Sequence, residues 1–383
     1  MQPREDILVT NRSAVDEIAK KLTNKLEFQL ETFNGAFPAA CSINSVYPLT
    51  PNTDWTTGFW SGMTALAARI TNSQYFFNHL AHQVSSFGER LTLQHDLDTH
   101  DLGFLYTLSC VNAWRMTGNE RARQYALQAA DKLISRYHPR AMIIQAWGDL
   151  NDPEQQGRMI IDCLMNLPLL YWASEQTGKT EYAYYARQHA INACKYLFRE
   201  DHSTFHTFYM DIVSGEPRYG KTHQGYSDQS CWARGQAWAI YGCTLSYSYT
   251  GDAQFLQAAL NAADYFLAHL PADNICFWDL SLTEPGTTKD TSAAAIAACG
   301  LLELVNHLSV IDPQRETFTK QALVIIDDLV STYFDDALNQ GGYLAESVYN
   351  MNKKRGVGEY CTWGDYFLFE AVSRLKSPAL KYW

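Results

Sequence analysis

The chain has 383 residues, of which 46% are hydrophobic and 19% charged, and its formal net charge is −11. This composition excludes a disordered chain, and no run of about 18 apolar residues predicts a membrane-spanning helix. The acidic balance argues against nucleic acid or an anionic membrane as partner, since both require a basic face. A small anionic ligand remains compatible, because it responds only to local charge.

The nine cysteines include no Cys-x-x-Cys pair, and most of them lie in apolar helical sequence. Such residues are usually reduced, buried thiols, which favours a cytoplasmic location. The charged start, Met1 to Asp6, lacks the apolar run of an export signal and favours the same location. No segment is typical of a linker, so we expect a single domain over residues 1–383.

A weak internal repeat organises the chain. Thr-Asn or Thr-Gly turns, and once Asp-Pro, precede charged amphipathic segments; they are Thr71-Asn72, Thr117-Gly118, Thr177-Gly178, Thr250-Gly251 and Asp312-Pro313. A glycine just past a helix end supplies the left-handed conformation that closes the helix. With an opening helix capped by Asn11 or Ser13, the pattern predicts amphipathic helices near 13–33, 73–92, 119–137, 179–199, 252–270 and 313–333.

The segments before these turns carry few charges and predict buried helices, because a helix that is apolar on nearly all sides lies in an interior. They lie near 56–70, 101–116, 161–176, 232–249, 290–308 and 362–375. Six buried helices alternating with six exposed ones predict an all-α fold, a six-hairpin (α/α)6 barrel with the buried helices inside. An open helical solenoid is the alternative.

The connections from outer to inner helices are long, and in a barrel they share the end where the inner helices begin. Long loops on a rigid scaffold usually carry the functional site. One of them, residues 203–220, predicts a short hairpin over this mouth. We therefore expect the site at this end of the barrel.

The ionisable residues of the inner helices are concentrated in their first turns. Asp commonly caps helices, and capping accounts for Asp290 and Asp365. Asp101 and Asp162 differ, because apolar sequence follows each of them at the same depth on consecutive inner helices. Two carboxylates that meet in a cavity cannot both ionise cheaply, so one pKa rises. A carboxylic acid that stays protonated near neutrality suits proton transfer to a sugar.

Aromatic and basic residues surround these acids in the predicted mouth. They are Trp55, Trp147, Trp232 and Trp238, with His206, His223 and Arg234. A single Trp would serve core packing, but several at one polar rim favour stacking against sugar rings. The basic residues would supply local positive charge, and Arg suits paired hydrogen bonds to a carboxylate, although His206 could be an ordinary loop residue.

No cofactor and no metal are expected. The histidines are scattered, without a His-x-x-x-His pair or a Cys/His cluster at ligand spacing. Nucleotide-binding glycine patterns and the Gly-x-Ser-x-Gly pattern of serine hydrolases are also absent from the sequence.

Seven strings, in order along the chain, carry a resemblance to a known family. They are Asn52 to Gly62, His100 to Tyr106, Ile144 to Gly148, Ile161 to Pro168, Thr222 to Gly225, Trp232 to Trp238 and Thr362 to Asp365. As a set, the sequence resembles the unsaturated glucuronyl hydrolases. That family's fold is a six-hairpin α/α barrel, which agrees with the helix count.

The resemblance implies both a substrate and a reaction. The substrate would be a small oligosaccharide left by a polysaccharide lyase, ending in a 4,5-unsaturated uronic acid whose C4=C5 bond is hydrated. Asp162 would be the general acid and base, and Asp101 the second carboxylate. Substrate binding would fall to Trp55, His100, Trp147, His206, Gln224, Trp232, Arg234 and Trp238.

Three other functions remain open at this point: an unsaturated rhamnogalacturonyl hydrolase, an ordinary inverting glycosidase using the same acids, and a non-catalytic helical binding scaffold. The scaffold gives no reason for paired acids beneath several Trp. The parent polysaccharide, its sulfation and assembly into a homo-oligomer are not fixed by the sequence. Lys353, Lys354 and Arg355, in the loop 346–358, border the mouth and are interpreted as solvated rather than sulfate-binding.

Overall fold

The computed structural model describes residues 7–377 and 381–383, so the segment 1–6 lies outside it. The described residues form two rings of helices. The outer ring consists of α1 (Arg12–Phe33), α3 (Gln74–Thr92), α6 (Glu120–Ile134), α9 (Thr180–Tyr196), α11 (Ala253–Ala268) and α13 (Pro313–Thr332). The inner ring consists of α2 (Thr57–Thr71), α4 (Leu102–Tyr106) with α5 (Asn112–Thr117), α7 (Cys163–Asn166) with α8 (Pro168–Thr177), α10 (Ala233–Thr250), α12 (Thr291–Leu304) and α14 (Thr362–Lys376).

Successive inner helices contact one another all the way round, and α14 packs on α2, so the ring is closed. The predicted (α/α)6 barrel is therefore confirmed, and the open solenoid is excluded. One cluster of buried apolar residues runs through the described chain.

The helix ends follow from the turn residues. Gly118, Gly178 and Gly251 have φ of 68°, 73° and 67°, a left-handed conformation that favours glycine. At the start of α1, the Asn11 side chain accepts hydrogen bonds from the N–H groups of Ser13 and Ala14. The repeat therefore marks real helix ends.

Two inner helices are interrupted where the sequence predicted continuous ones. A π-helical turn, Thr107–Val111, joins α4 to α5, and Pro168 begins α8 directly after Leu167. Proline has no N–H to continue the preceding helix.

Gly103 allows α4 and α7 to approach closely. A Cβ at this position would lie 2.2 Å from Asn166 Cα, which no side chain could tolerate. This contact brings the starts of the two helices together.

Short antiparallel strands lie in the long connections. They are β1 (Phe37–Pro38) with β2 (Leu49–Thr50), β3 (Tyr137–His138) with β4 (Ile143–Ile144), β5 (Arg158–Ile160) with β6 (Thr207–Met210) and β7 (Pro217–Lys221), and β8 (Ser347–Asn350) with β9 (Arg355–Glu359). The predicted hairpin is confirmed as β6–β7, to which β5 adds a third strand. The β8–β9 hairpin stands where the sequence predicted a loop.

The cysteines agree with the prediction of reduced, buried thiols. All nine lie in the described residues and are free; Cys194 is half-buried and the others are buried. The cytoplasmic location stays a prediction. Within the part of the chain that the structure describes, no helix has the length and apolarity needed to cross a bilayer.

Candidate active site

A cavity of about 260 Å³ opens at the end of the barrel where the inner helices begin. Most of the residues singled out from the sequence line it: Trp55, Asp101, Trp147, Asp162, His223, Gln224, Trp232, Arg234 and Trp238. His100 and His206 are not among the lining residues. The predicted position of the site at the mouth therefore agrees with the structure.

Asp101 and Asp162 occupy equivalent places, directly before α4 and α7. Both stand at helix cap positions, yet neither side chain makes a capping hydrogen bond. The side chains are 13% and 16% exposed, and one oxygen of each lies within 4.8 Å of the other. The capping interpretation therefore fails for these two acids, which face each other in the cavity.

Burial raises the pKa of both carboxyl groups. For Asp162 the pKa lies well above its ordinary value, with the charge of Asp101 as the second cause and Arg234 acting in the opposite direction. Burial raises the pKa of Asp101 to about 7, against a lowering hydrogen bond from Thr99, whose Oγ1 donates to Oδ2 at 2.8 Å. The pair therefore retains a proton near neutrality, as the sequence predicted.

His100 lies behind the acids rather than in the cavity wall. Its Nε2 is 3.4 Å from Asp101 Oδ1 and 3.5 Å from Asp162 Oδ1. Among the described residues, neither ring nitrogen has a hydrogen-bond partner, and neither has Asp162 Oδ1. The sequence placed His100 among the substrate-binding residues, whereas its side chain contacts the two acids.

Arg234 is held in the wall by its neighbours. Its Nη1 donates to Asp290 Oδ2 at 3.2 Å and to Val348 O, and its Nη2 donates to Gln224 Oε1 at 2.6 Å and to Tyr349 O at 2.9 Å. The guanidinium also lies between two indole rings, 4.4 Å from Trp232 and 4.7 Å from Trp363. These bonds occupy both terminal nitrogens, so the predicted paired bonds to a ligand carboxylate do not fit this position. Arg234 instead contributes charge and fixes Gln224.

His206 orients the loop that follows β7. Its Nδ1 accepts hydrogen bonds from the N–H groups of His223 and Gln224 at 3.0 and 3.2 Å, and its ring packs on Trp232 at 4.3 Å. Burial holds the pKa of His206 well below its ordinary value and lowers that of His223 to about 4. Both imidazoles are therefore neutral near pH 7, and the prediction that they supply positive charge is wrong.

The tryptophans form the rest of the wall. Trp55 stacks on Trp363 at 5.3 Å and donates its Nε1–H to Tyr349 OH at 3.1 Å. Trp238 packs against Phe104 at 5.4 Å, deep in the barrel. The guanidinium of Arg158 lies 4.9 Å from the Trp147 ring. Fixed aromatic faces around a pair of acids suit a sugar ring.

A family model described as Glycosyl Hydrolase Family 88 matches residues 30–353, a range that includes Asp101, Asp162 and Arg234. The unsaturated glucuronyl hydrolase of Bacillus sp. (strain GL1) is 43% identical over 356 residues, 92% of this chain and 94% of that protein. The chain belongs to Glycosyl Hydrolase Family 88. It is a glycoside hydrolase, and the family implied by the sequence strings is confirmed.

Solved structures of family members agree with the barrel. The crystal structure of the Bacillus sp. GL1 unsaturated glucuronyl hydrolase superposes with a TM-score of 0.93 at 42% identity and covers 96% of this chain and 98% of that chain. An aspartate-to-asparagine variant of the unsaturated glucuronyl hydrolase of Streptococcus agalactiae, complexed with dGlcA-GalNAc6S, gives 0.88 at 36% identity, covering 99% and 95%. The unsaturated chondroitin disaccharide hydrolase of Streptococcus pneumoniae is 38% identical over 99% of this chain and 96% of that protein.

The β8–β9 hairpin supplies further lining residues in this family 88 chain. Tyr349 and Asn350 line the cavity and were missed by sequence reasoning. Lys353 and Arg355, which the sequence placed at the border of the mouth, also line the cavity and are exposed, as the solvated interpretation required. The apolar pair Val348-Tyr349 has high β-propensity and was the available signal for a strand.

The two acids assigned to capping behave differently from each other. Asp290 does cap α12, accepting bonds from the N–H groups of Ser292 and Ala293, and also pairs with Arg234. Asp365 is a correction: its oxygens accept bonds from the N–H groups of Tyr343 and Leu344 and from Tyr47 OH, at 2.7 to 2.9 Å. It therefore anchors a mouth loop instead of capping its helix.

His100, Asp101 and Asp162 offer donor atoms that lie within 4.8 Å of one another, close enough to surround a metal ion. A cation there would have to displace the proton that burial keeps on the acids. The absence of a metal requirement stays a prediction.

Proposed function

We propose that this enzyme hydrates the C4=C5 double bond of the terminal 4,5-unsaturated uronic acid in lyase-generated oligosaccharides. The observation that carries the proposal is the pair Asp101 and Asp162, facing each other in an aromatic cavity with pKa values raised by burial. The names of the relatives support the substrate class, as does the unsaturated disaccharide bound to the Streptococcus agalactiae protein.

The first step is proton transfer from Asp162 to C4. The π electrons of the double bond form the new C4–H bond, which leaves a positive charge shared by C5 and the ring oxygen. Asp101, as the ionised partner, stabilises this cation in a site of low dielectric constant. Because burial keeps the proton on Asp162, the acid is ready at neutral pH.

The second step adds water to C5. The Asp162 carboxylate formed in the first step removes a proton from the attacking water, so the acid is regenerated and the net change is addition of H₂O. The resulting hemiketal opens to a keto group at C5. The hemiacetal left at C1 then collapses to an aldehyde and releases the remaining sugar with its own oxygen.

The wall around the acids suits the uronate. Trp55, Trp147, Trp232 and Trp238 offer faces for the rings, and Arg234, Lys353 and Arg355 bring positive charge to the lining. The N-termini of inner helices at this end also favour an anionic group. Gln224, held by Arg234, presents an amide at the same wall.

The spacing of the acids argues against an ordinary inverting glycosidase. Such enzymes hold their carboxyl groups about 6.5–9.5 Å apart to leave room for water between them. Here the nearest oxygens lie within 4.8 Å. The hydration proposal needs no water between the acids, because one side chain serves as acid and then as base.

A pair of matched substrates tests the proposal. The purified protein is given a lyase-generated disaccharide ending in unsaturated glucuronate and, separately, the same disaccharide with saturated glucuronate. We expect loss of the double bond's ultraviolet absorbance and release of the second sugar only from the unsaturated compound. Cleavage of the saturated compound would overturn hydration in favour of an ordinary glycosidase. Activity confined to a rhamnogalacturonan-derived substrate would assign the related unsaturated rhamnogalacturonyl hydrolase activity.

A further inference from the structure

His100 is a buried histidine whose place the hydration steps leave unexplained. Its side chain is 1% exposed and is not among the residues that line the cavity. Its Nε2 lies almost equally far from the two acids, 3.4 Å from Asp101 Oδ1 and 3.5 Å from Asp162 Oδ1. A buried polar atom without a settled partner is costly, which indicates a role beyond packing.

The ring carries a single proton, and the surroundings place it on Nε2. Burial, and then the charges of His189 and Arg136, hold the pKa of His100 well below its ordinary value, so the imidazole is neutral. A neutral imidazole has one N–H. Two carboxylate oxygens lie 3.4 and 3.5 Å from Nε2, and neither ring nitrogen has a hydrogen-bond partner among the described residues. The Nε2–H tautomer is therefore favoured.

We propose that His100 is a positioning residue whose Nε2–H is one donor shared by the two acids, bonding to whichever of them is ionised. This inference rests on the proposed function. Before proton transfer the charge is on Asp101, and the donor stabilises it. Once Asp162 has given its proton to C4 the donor turns to Asp162, and it returns when the water proton restores the acid.

The nearly equal distances are what such sharing requires. Both contacts are long for a hydrogen bond and neither has hydrogen-bond geometry, so a small shift and rotation of the ring toward either oxygen would be needed to complete one. Bonds of this kind are often long in a free enzyme and shorten during the reaction. The backbone fixes the ring's position, because the His100 N–H donates to Ala146 O at 2.6 Å and Asp101 follows directly.

Two buried polar side chains near His100 bond to the backbone. His189 Nδ1 accepts the Ile144 N–H at 2.8 Å, while its Nε2 has no hydrogen-bond partner among the described residues. Arg136 donates to the carbonyl oxygens of Gln145 and Gly148 at 2.9 and 2.8 Å. The Trp147 ring lies edge-on, with its centroid 6.4 Å from that of His100. These contacts leave His100 Nε2 available to the two acids.

The tautomer is tested on the wild-type protein by nitrogen-15 NMR with labelled histidine. We expect the His100 signals to show a protonated Nε2 and a bare Nδ1 from pH 5 to pH 9, with Nε2–H shifting when an unsaturated disaccharide binds. A proton on Nδ1, or a doubly protonated ring at pH 7, would overturn the proposal.

Two substitutions separate the donor from the bulk of the ring. His100→Phe keeps a ring without a donor, and His100→Gln keeps an amide donor. We expect the phenylalanine variant to lose roughly 10- to 100-fold in kcat with little change in KM, and the alkaline limb of its pH profile to move up by about one pH unit, because the ionised acids lose a donor. We expect the glutamine variant to recover most of the wild-type kcat and most of the wild-type pH profile.

His189→Phe is the matched control, since it removes another buried imidazole of the same region that does not face the acids. It should lower the melting temperature without moving the pH profile. A raised KM with unchanged kcat in the phenylalanine variant would overturn the proposal and return His100 to ligand binding. A shifted profile in His189→Phe would also contradict it.

A failure of the proposed function can be distinguished from a failure of the shared donor. If the wild-type protein leaves unsaturated disaccharides intact, the reaction assignment fails, yet carbon-13 NMR titration of labelled Asp101 and Asp162 still tests His100. The titration of these carboxyl groups should move up in His100→Phe and stay near wild type in His100→Gln. Identical titrations in all three proteins would overturn the shared donor.

Discussion

Two clusters of buried ionisable side chains lie at opposite ends of the inner ring and differ in how completely they are paired. The mouth cluster consists of His100, Asp101 and Asp162. The floor cluster consists of Tyr241, Glu303, Glu370 and Arg374, near the ends of the inner helices. Both are enclosed by the same kind of apolar helix, so the comparison isolates the effect of the partners.

The floor cluster contains a cation that bonds to both of its acids. Arg374 donates from Nε to Glu370 at 2.8 Å and from Nη1 to Glu303 at 2.7 Å, and the Trp383 indole donates to Glu370 at 3.0 Å. Although burial alone would raise it, the pKa of Glu303 is held at about 2, chiefly by Arg374. Glu303 is therefore ionised near neutral pH, and the cluster serves structure.

The mouth cluster has two acids and a neutral imidazole, with no cation of its own. Asp162 Oδ1 and both His100 nitrogens lack hydrogen-bond partners within the described residues. The partners of these acids do not offset the cost of burying the charged form, so burial raises the pKa of both acids. Incomplete pairing leaves these groups able to exchange a proton with a ligand, which the floor cluster cannot do.

The largest expected effect that follows from the comparison belongs to Asp101→Asn. Removing this charge should lower kcat about 10³-fold, because the cation loses its stabilising partner. The Asp101 charge also raises the pKa of Asp162, so its loss should move the alkaline limb of the residual activity to lower pH. The measurement is kcat from pH 5 to pH 9.

Asp365→Asn is the matched control, because burial also raises the pKa of Asp365, to about 6, away from the cavity lining. Its pH profile for kcat should match that of the wild type. An alkaline limb that stays in place in Asp101→Asn would contradict the coupling of the two acids.

At the other end, Arg374→Met should lower the free energy of unfolding by about 3 kcal/mol, because Glu370 would be left as a buried, unpaired charge. The kcat of the folded variant should stay within about twofold, since the floor cluster takes no part in the reaction. Chemical denaturation and the absorbance assay measure the two quantities. Lys376→Ala removes only an exposed pair with Asp16 and should leave the free energy of unfolding nearly unchanged. A large loss of kcat in Arg374→Met would contradict the claim that the floor cluster takes no part in the reaction.

Only part of this contrast could be predicted from the sequence. The Thr-Gly turns located the helices, and apolar sequence after Asp101 and Asp162 separated them from capping acids. Asp365 was misassigned, because its partners, the N–H groups of Tyr343 and Leu344, come from a loop whose path depends on tertiary contacts. The residue type of Asp365 and its place at the start of a helix do not reveal such partners.

The same limit applies to the contacts of Arg234 and His100. Arg234 was correctly placed in the cavity wall, but its bonds to Val348 and Tyr349 come from a hairpin 114 and 115 residues away. His100 precedes Asp101 in a shared string, which does not reveal whether its ring faces the cavity or the acids. Residue type located the site, whereas the direction of each side chain required the fold.

A smaller effect is expected from Arg234→Ala. We expect KM for unsaturated substrates to rise roughly 10- to 100-fold with a smaller change in kcat, because Gln224 and the β8–β9 hairpin lose a charged donor. Arg234→Lys retains the positive charge but not the forked guanidinium, so its KM should lie between those of the alanine variant and the wild type. Steady-state kinetics at pH 7 provide the measurement. Unchanged KM in both folded variants would remove Arg234 from ligand recognition.

The smallest effect is expected from metal removal. Dialysis against a chelator should leave kcat and KM unchanged, because a proton rather than a cation is expected to occupy the mouth cluster. The same assay after addition of zinc or magnesium serves as the control. Loss of activity on chelation, restored by one of these ions, would contradict the absence of a metal.

The role of Asp162 as proton donor is tested by the Asp162→Asn variant, measured for turnover and for binding of the same unsaturated disaccharide. Asparagine keeps the shape of the side chain but cannot deliver a proton to C4. We expect a loss of kcat of about 10³-fold or more, with a dissociation constant within about threefold of the wild type by calorimetry. Turnover near the wild-type rate would contradict the role of Asp162 as proton donor.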